Sequence, residues 1–461
     1  MSISANPGAR LLAFRILQDV ERHGAPADEA TNRLLASVHP NARDRGLTVE
    51  LVYGVLRHRG TLDWRLDHVS DRTMERLPLP IRTALRLAAY QLFHLERIPA
   101  SAAINESVAL AKTVRGRDWS GFVNAVLRTL QRDPPPPWPD MARGPLEALA
   151  VRYSCPRWLV DRWLARFGLT DAEGLCRATV AIPPLTLRVN TLRSTRETLQ
   201  AQFLNAGIES QPTAVSPIGL TLEKQGAITD LPLFHDGAFY VEDEAAQLVP
   251  LLLDVQPGER ILDACAAPGG KATHLAAIMQ NRGEIIACDQ SRSRLHLLEQ
   301  NCRRLGISIV TPVEMDATRL DVSVSSRNPV LSNPFDRILV DAPCSGFGVL
   351  RRHPEAKWQK DDALLTQQRE RQFAILTHVS RLLRPGGIIV YSTCSTEREE
   401  NEQVIQRFCS GHHDFSREPV MPWLPPAGRH LVNADGDFST MLALHARSMD
   451  GFFAARLRKA P

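Results

Sequence analysis

The stretch RILDACAAPGGKATHLAAIMQ, residues 260–280, decides the fold. RILDAC is short, apolar and bounded by a turn, as a buried strand should be. Two adjacent glycines then free the backbone, and KATHLAAIMQ has helical spacing. The same order recurs downstream. EIIACD is followed by the helical SRSRLHLLEQNCRRLG, and FDRILVDAP by DALLTQQRERQFAILTHVSRLLRPGG. IIVYSTC is followed by EREENEQVIQRFC, and FFAARLRK near the end suits an added antiparallel strand. Alternating strands and helices give a mainly parallel sheet covered on both faces, with ligands at the carboxyl ends of the strands. This Rossmann-like α/β domain spans 241–461.

Upstream the character changes. Residues 145–240 open with two helical stretches, PLEALAVRY and PRWLVDRWLARFG. PLTLRVNTL, IGLTLE and GAFYVED then read as strands around the helix STRETLQAQFLNAG, a small α+β domain. DPPPPWP, within the linker 133–144, can continue neither a helix nor a central strand. Residues 1–132 read as helix throughout, with apolar residues at three- and four-residue spacing.

The chain has 461 residues, 44% hydrophobic and 23% charged, which fits a multidomain globular protein. No run approaches a membrane span of about 18 apolar residues, and the first residues do not form a secretory signal. A cytoplasmic protein without membrane partners is expected, with its thiols reduced. The eight cysteines contain no Cys-x-x-Cys pair, so no zinc signature is present and no metal is expected. Residues 1–132 hold 19 Lys+Arg against 13 Asp+Glu, a net of +6, while the remainder holds 36 against 38, a net of −2. The excess is nearly all arginine, which suits either bidentate phosphate contacts or solvated helix faces.

The loop after the first strand, Cys265 to Lys271, is not a P-loop. The required glycine six residues before the lysine is Cys265, and the residue after it is Ala272. G-x-G-x-x-G is absent too. Asp289 ends the second strand 19 residues after Gly270, where an acid accepts hydrogen bonds from ribose hydroxyls. Asp316, in MDAT, ends the third, where a carboxylate suits an adenine amine. A ribose and an adenine without a phosphate cradle point to S-adenosylmethionine (SAM); the bland alternative is a generic helix-starting turn with strand-end acids.

Two further strands each end in Cys-Ser, at Cys344 in ILVDAPCSGFG and Cys394 in IIVYSTCSTE. A disulfide, a metal pair, buried filler and two parts of one reaction are the alternatives.

ILDACAAPGGKATHLA, ACD, MDAT, ILVDAPCSGFGVLRRHPEAKW and YSTCSTEREENEQVI together closely resemble the RNA cytosine-C5 methyltransferases, in particular the bacterial 16S ribosomal RNA branch. LRVNTL and FYVEDEAAQLV resemble that family's upstream segments, and residues 1–132 resemble its NusB-like RNA-binding domain. The resemblance implies an RRM-like middle domain and a class I SAM-dependent methyltransferase domain. It implies that Cys265, Ala266, Ala267, Pro268, Gly269, Gly270, Lys271, Asp289 and Asp316 hold SAM, and that Asp341 lies between cofactor and base. Cys394 would be the nucleophile and Cys344 would assist its release. The single acid of IIACDQSRSR, where many members have a second, leaves ribose recognition to Asp289.

That chemistry needs two cysteines. Cytosine carbon 5 is a poor nucleophile until a thiolate adds at carbon 6. A proton or hydrogen bond at N3, a task for Asp341, stabilises the developing charge. A base must then remove the carbon-5 proton before the nucleophile can leave. DNA cytosine methyltransferases use a Pro-Cys site, which would point to Cys344; the RNA resemblance points to Cys394. The expected substrate is 16S ribosomal RNA before full subunit assembly, acted on by a monomer. Transfer RNA, or a NusB-like binding module with an inactive enzyme domain, are the alternatives. Residues 349–358 offer Arg351, Arg352, His353, Lys357 and Trp358 for RNA contact or, in the bland reading, for packing on a helix.

Overall fold

The computed structural model describes residues 7–114, 116–223, 228–319, 330–442 and 449–461. They fall into two compact units. One is the chain up to Ile182 together with Leu350–Asp361; the other is Pro183–Val349 together with Asp362–Pro461.

The helical unit begins with Ala9–His23, Ala27–Val38, Ala42–Asp67, Leu79–His94, Ala100–Lys112 and Ser120–Arg132. Their apolar faces meet in a core that includes Phe14, Leu17, Leu51, Val55, Leu85 and Leu127. The Asn41 side chain caps the longest of them by accepting from Asp44 N at 2.9 Å. The arginine excess is partly structural. Arg86 is buried and donates to both Asp63 at 2.7 Å and Glu21 at 2.8 Å, so neither solvation nor phosphate accounts for it.

Two departures from the sequence reading concern boundaries. The helices Pro145–Arg152 and Arg157–Val180 belong to the helical unit and not to the middle segment. Thr61 Oγ1 donates to Val151 O at 2.6 Å, and Gly60 N donates to Ser154 Oγ at 2.7 Å. Arg157–Val180 is interrupted at Gly168, whose φ of 75° only glycine adopts without strain. The second departure is the segment Leu350–Asp361, which leaves the catalytic unit in the middle of its sequence.

In the other unit, β1 (Leu185–Val189), β2 (Ser210–Pro212), β3 (Gly219–Leu222) and β4 (Phe239–Val241) form an antiparallel sheet in the order β2-β3-β1-β4. Leu187, Leu199, Phe203, Leu220 and Phe239 make its core. The large sheet contains β5 (Arg260–Asp263), β6 (Glu284–Asp289), β7 (Val310–Glu314), β8 (Phe335–Asp341), β9 (Leu383–Thr393), β10 (Phe415–Glu418), β11 (Phe438–Thr440) and β12 (Phe452–Lys459). Its order is β10-β12-β9-β8-β5-β6-β7, with β11 on β12. β7, β6, β5, β8 and β9 run parallel and β12 antiparallel to β9. The order reverses between β5 and β8, which opens a crevice at their carboxyl ends.

The two sheets are bolted together by LRVN. Arg188 is buried and donates to Glu242 at 2.8 Å, Gly270 O at 2.5 Å and Thr273 Oγ1 at 2.9 Å. Asn190 Nδ2 donates to Gly237 O at 2.8 Å and Leu305 O at 2.9 Å. The sequence left these two residues between RNA contact and core; they are structural. No helix among the described residues is long and apolar enough to cross a membrane.

Candidate active site

The crevice is a cavity of about 300 Å³. Cys265 and Ala267 line it from the loop after β5, Asp289 from β6, Asp316 from beyond β7, Asp341 from the end of β8, and Cys344 and Cys394 from the loops after β8 and β9. Thus seven of the residues singled out in the sequence converge. Ala266, Pro268, Gly269, Gly270 and Lys271 do not line the cavity but build its floor. Ala266 N donates to Cys288 O at 2.7 Å, and Gly269 N to Ala266 O at 2.8 Å. Gly269 holds φ 105° and starts the helix Gly270–Ile278. Gly270 has no room for a side chain: a Cβ there would lie 2.8 Å from Glu242 Oε1.

The acids on the cofactor side are differently held. Asp289 is buried, accepts from Ser291 N at 2.9 Å and lies 3.3 Å from Arg294 Nη1. Asp316 accepts from Thr318 N at 2.9 Å and Thr318 Oγ1 at 2.6 Å, and the Thr318 hydrogen bonds hold its carboxyl below the usual range. Asp263, which the sequence reading passed over, is fully buried with no hydrogen-bond partner on either oxygen. Burial, with the Asp341 charge adding, pushes its carboxyl up to about 7. An unpartnered buried acid beneath the loop, two acids at strand ends and no free lysine for phosphate fit a nucleoside carrying a cationic amino-acid tail. SAM is such a molecule.

Lys271 departs from its expected place in the cofactor loop. Its Nζ lies 2.7 Å from Asp341 Oδ2, while Ser392 Oγ donates to Asp341 Oδ1 at 2.8 Å. Burial opposes the ammonium, but Asp341 and then Cys394 hold its pKa above the ordinary value. The lysine is therefore a fixed cation beside the reacting groups.

The cysteine side answers the question raised by the repeated Cys-Ser. β8 and β9 are parallel neighbours with Asp341 opposite Ser392, so both cysteines emerge at one edge of the crevice. Their Sγ atoms are 3.3 Å apart, as two free thiols. Each following serine turns inward to Glu400. Ser345 donates to it from its backbone N at 2.7 Å and its Oγ at 2.5 Å, and Ser395 Oγ donates to the same carboxylate. Gln372 Nε2 adds a fourth donor at 3.1 Å, and the two serine hydroxyls lie 3.1 Å apart. Glu400 was read as part of a helix over EREENEQVIQRFC; that helix begins only at Glu402, because Glu400 is drawn into the interior. The hydrogen bond to Cys394, burial and the nearby Cys394 and Glu400 charges push the Cys344 thiol well above its ordinary pKa. Cys344 is thus the member of the pair that keeps its proton.

Among the described residues no group of three or more His, Cys, Asp and Glu could hold a metal. Residues 349–358 divide as the bland reading had it: Arg351 and Lys357 are buried, and Trp358 packs within the helical unit.

Comparison with known proteins agrees with this architecture. Residues 250–458 match the family described as 16S rRNA methyltransferase RsmB/F, residues 7–132 the NusB family, and residues 155–229 the RsmF/B-like ferredoxin-like domain. A probable ribosomal RNA small subunit methyltransferase B from Synechocystis sp. is 37% identical, over 98% of this chain and 99% of its own length. A protein of the same description from Bacillus subtilis is 36% identical over 98% of each. A ribosomal RNA small subunit methyltransferase B from Pseudomonas putida is 35% identical over 98% of each. A solved methyltransferase homologue from Pyrococcus horikoshii superposes with a TM-score of 0.57 at 28% identity, over 68% of this chain and 99% of its own.

Proposed function

The chain belongs to the 16S rRNA methyltransferase RsmB/F family, SAM-dependent enzymes of small-subunit ribosomal RNA, and from that premise we propose that it methylates carbon 5 of a cytosine through a covalent adduct on Cys394. The observation that carries this reading is the pair of thiols 3.3 Å apart, on one cavity with Asp341 and the strand-end acids. SAM, bound across Asp289 and Asp316 over the Cys265–Lys271 loop, supplies an electrophilic methyl group.

Cys394 is the nucleophile because its partner retains the proton and Lys271 stands nearby as a cation that favours a thiolate. Its sulfur adds to carbon 6 of a cytosine turned out of any stack. As electrons move into the ring, the proton shared by Lys271 and Asp341 passes to N3. Carbon 5, now part of an enamine, takes the methyl group. Formation of the thioether removes the Cys394 charge that had kept the proton on Cys344. Cys344, or a water beside it, is then freed to accept the carbon-5 proton. The carbon–sulfur bond breaks, N3 returns its proton to the Lys271–Asp341 pair, and Cys394 leaves as thiolate. The Pro-Cys alternative, with Cys344 attacking, would make the more strongly protonated thiol the nucleophile.

Incubating the protein with 16S RNA transcript, isotopically labelled SAM and, separately, transfer RNA tests this. Nuclease digestion and mass spectrometry should find 5-methylcytidine in 16S RNA alone. Label in N4-methylcytidine or in another base would exclude the carbon-5 chemistry, and label in transfer RNA alone would overturn the substrate.

A further inference from the structure

The sequence division of labour assigns affinity to the N-terminal helices and chemistry to the C-terminal sheet. Leu350–Asp361 breaks that division. Gly348 N donates to Cys394 O at 3.0 Å, and Gly451 N donates to Gly348 O at 2.8 Å, so the loop after Cys344 is held directly on the second cysteine. A Cβ on Gly348 would lie 1.9 Å from Gly451 O, so this packing leaves the loop no slack. Two residues later the chain is part of the helical unit.

Within that unit the segment is built in and not draped over the surface. Glu355 Oε1 accepts from Ala27 N at 3.1 Å at the start of the second helix. Lys357 is fully buried and its Nζ donates to Arg57 O at 3.2 Å, while Arg57 Nη2 donates to Arg351 O at 3.4 Å. The Trp358 ring fills the space over Gly60, where a Cβ would come within 2.8 Å of it, and the Arg59 guanidinium stands 5.2 Å from the ring centroid. Gln359 Nε2 donates to Val20 O at 3.4 Å. A lysine whose pKa burial draws down to about 8 is kept in place by a packed surround.

We propose that this docking holds the Cys344 loop in its reactive position, so that Glu355, Lys357 and Trp358 are positioning residues for methyl transfer and the helical unit is a working part of the active site. The proposal rests on the role of the cysteines given above. Its physical basis is covalent continuity. Residues 344–348 are pinned at Cys394, and the chain that continues from them is pinned again from Leu350 onward. Loosening the second anchor lets the first drift, and a misplacement of about 1 Å costs on the order of 10²-fold in rate.

The test uses the full chain with Trp358→Ala, Trp358→Phe and Gln359→Ala. Four quantities are measured: thermal melting, dissociation constants for SAM and for 16S RNA at several salt concentrations, single-turnover methyl transfer at saturating RNA, and the rates at which iodoacetamide alkylates Cys344 and Cys394 without ligands. For Trp358→Ala the expected result is a fall of at least tenfold in single-turnover rate. Both dissociation constants should stay within twofold, and Cys344 alkylation should speed up severalfold. Trp358→Phe, which retains a ring over Gly60, should recover most of the rate. If Trp358→Ala melts below the assay temperature, the milder Gln359→Ala must show the same split at smaller size. Weakened RNA binding with a shallower salt slope would instead make the segment an RNA contact and overturn the proposal. Unchanged turnover and unchanged alkylation would also overturn it. The alkylation readout needs no methyl transfer, so a wild-type protein inactive on 16S RNA would defeat the proposed function and leave the tether to be judged by thiol reactivity alone.

Discussion

The two cysteine loops start alike and end differently. Both follow parallel neighbouring strands, both begin Cys-Ser, and both serines bond to Glu400. After Cys394 the chain turns back at once: Asn401 Nδ2 donates to Ser395 O at 2.9 Å, Thr393 Oγ1 donates to Asn401 at 2.6 Å, and a helix follows. After Cys344 the chain enters another unit before returning at Asp362. One thiol is braced by its own neighbourhood, the other from both ends by different parts of the molecule. A nucleophile must sit rigidly where the bond forms. A group that helps release the product has only to be correctly placed at one later step, and its position can be made to depend on the RNA-binding part of the chain.

The largest test of this asymmetry exchanges the two thiols. Cys394→Ala should abolish turnover and form no RNA adduct. Cys344→Ala should still attack and transfer the methyl group but fail at elimination, so a covalent complex with methylated RNA should build up as a slow band on a denaturing gel. An adduct in Cys394→Ala and none in Cys344→Ala would reverse the roles. Retained activity in both variants would discard the covalent route.

Next comes the shared brace. Glu400→Ala leaves the buried donors of Ser345, Ser395 and Gln372 without their acceptor, each costing about 1–3 kcal/mol. Both loops should loosen together, with turnover down on the order of 10²-fold and SAM affinity preserved. Should SAM binding disappear in a folded variant, the brace would have to serve the cofactor side as well.

The cofactor side is the contrast to both loops. Asp289→Ala removes an acceptor for ribose hydroxyls, where a bond to a charged group is worth about 1.5–3 kcal/mol. Calorimetry should show SAM binding weakened roughly 10- to 100-fold while the thiols alkylate at wild-type rates. An unchanged dissociation constant would mean that the ribose is held elsewhere.

The smallest expected effect is on stability. Asp263 has a carboxyl raised from 3.8 to about 7, so the folded state holds a proton that the unfolded chain has released across that window. Its contribution is therefore best at low pH and is lost as pH rises from about 4 to about 7. Asp263→Asn should flatten that decline in denaturant melts of the ligand-free protein by a few kcal/mol at most. A slope identical to wild type would refute the assignment.

Much of the site was legible because its signals are local. A strand, a glycine turn and a helix announce themselves within twenty residues, and strand-end acids follow from counting along that pattern. The repeated Cys-Ser was also visible, and it marked two serines whose work only the fold disclosed. Glu400 was not legible as their partner. It sits 55 residues from Ser345, in a charged run that suits a solvated helix, and nothing nearby marks it as buried. The same holds for VLRRHPEAKW, whose basic and aromatic residues suit RNA as well as a protein core.

By itself, then, the sequence determined the three kinds of domain, the SAM loop, the acids at the ends of β6 and β7, and the two cysteines as a pair. Hydrophobic period and turn chemistry act between near neighbours and need no knowledge of what lies across the fold. Only the tertiary structure decided that Lys271 serves Asp341, that Arg188 joins two sheets, that one glutamate braces both thiols, and that Leu350–Asp361 belongs to the helices. Each of these rests on a buried charged or polar side chain. Its partner is chosen by desolvation, which demands the nearest complementary group in space however far away it lies in the chain, as with Ala27 and Glu355, 328 residues apart.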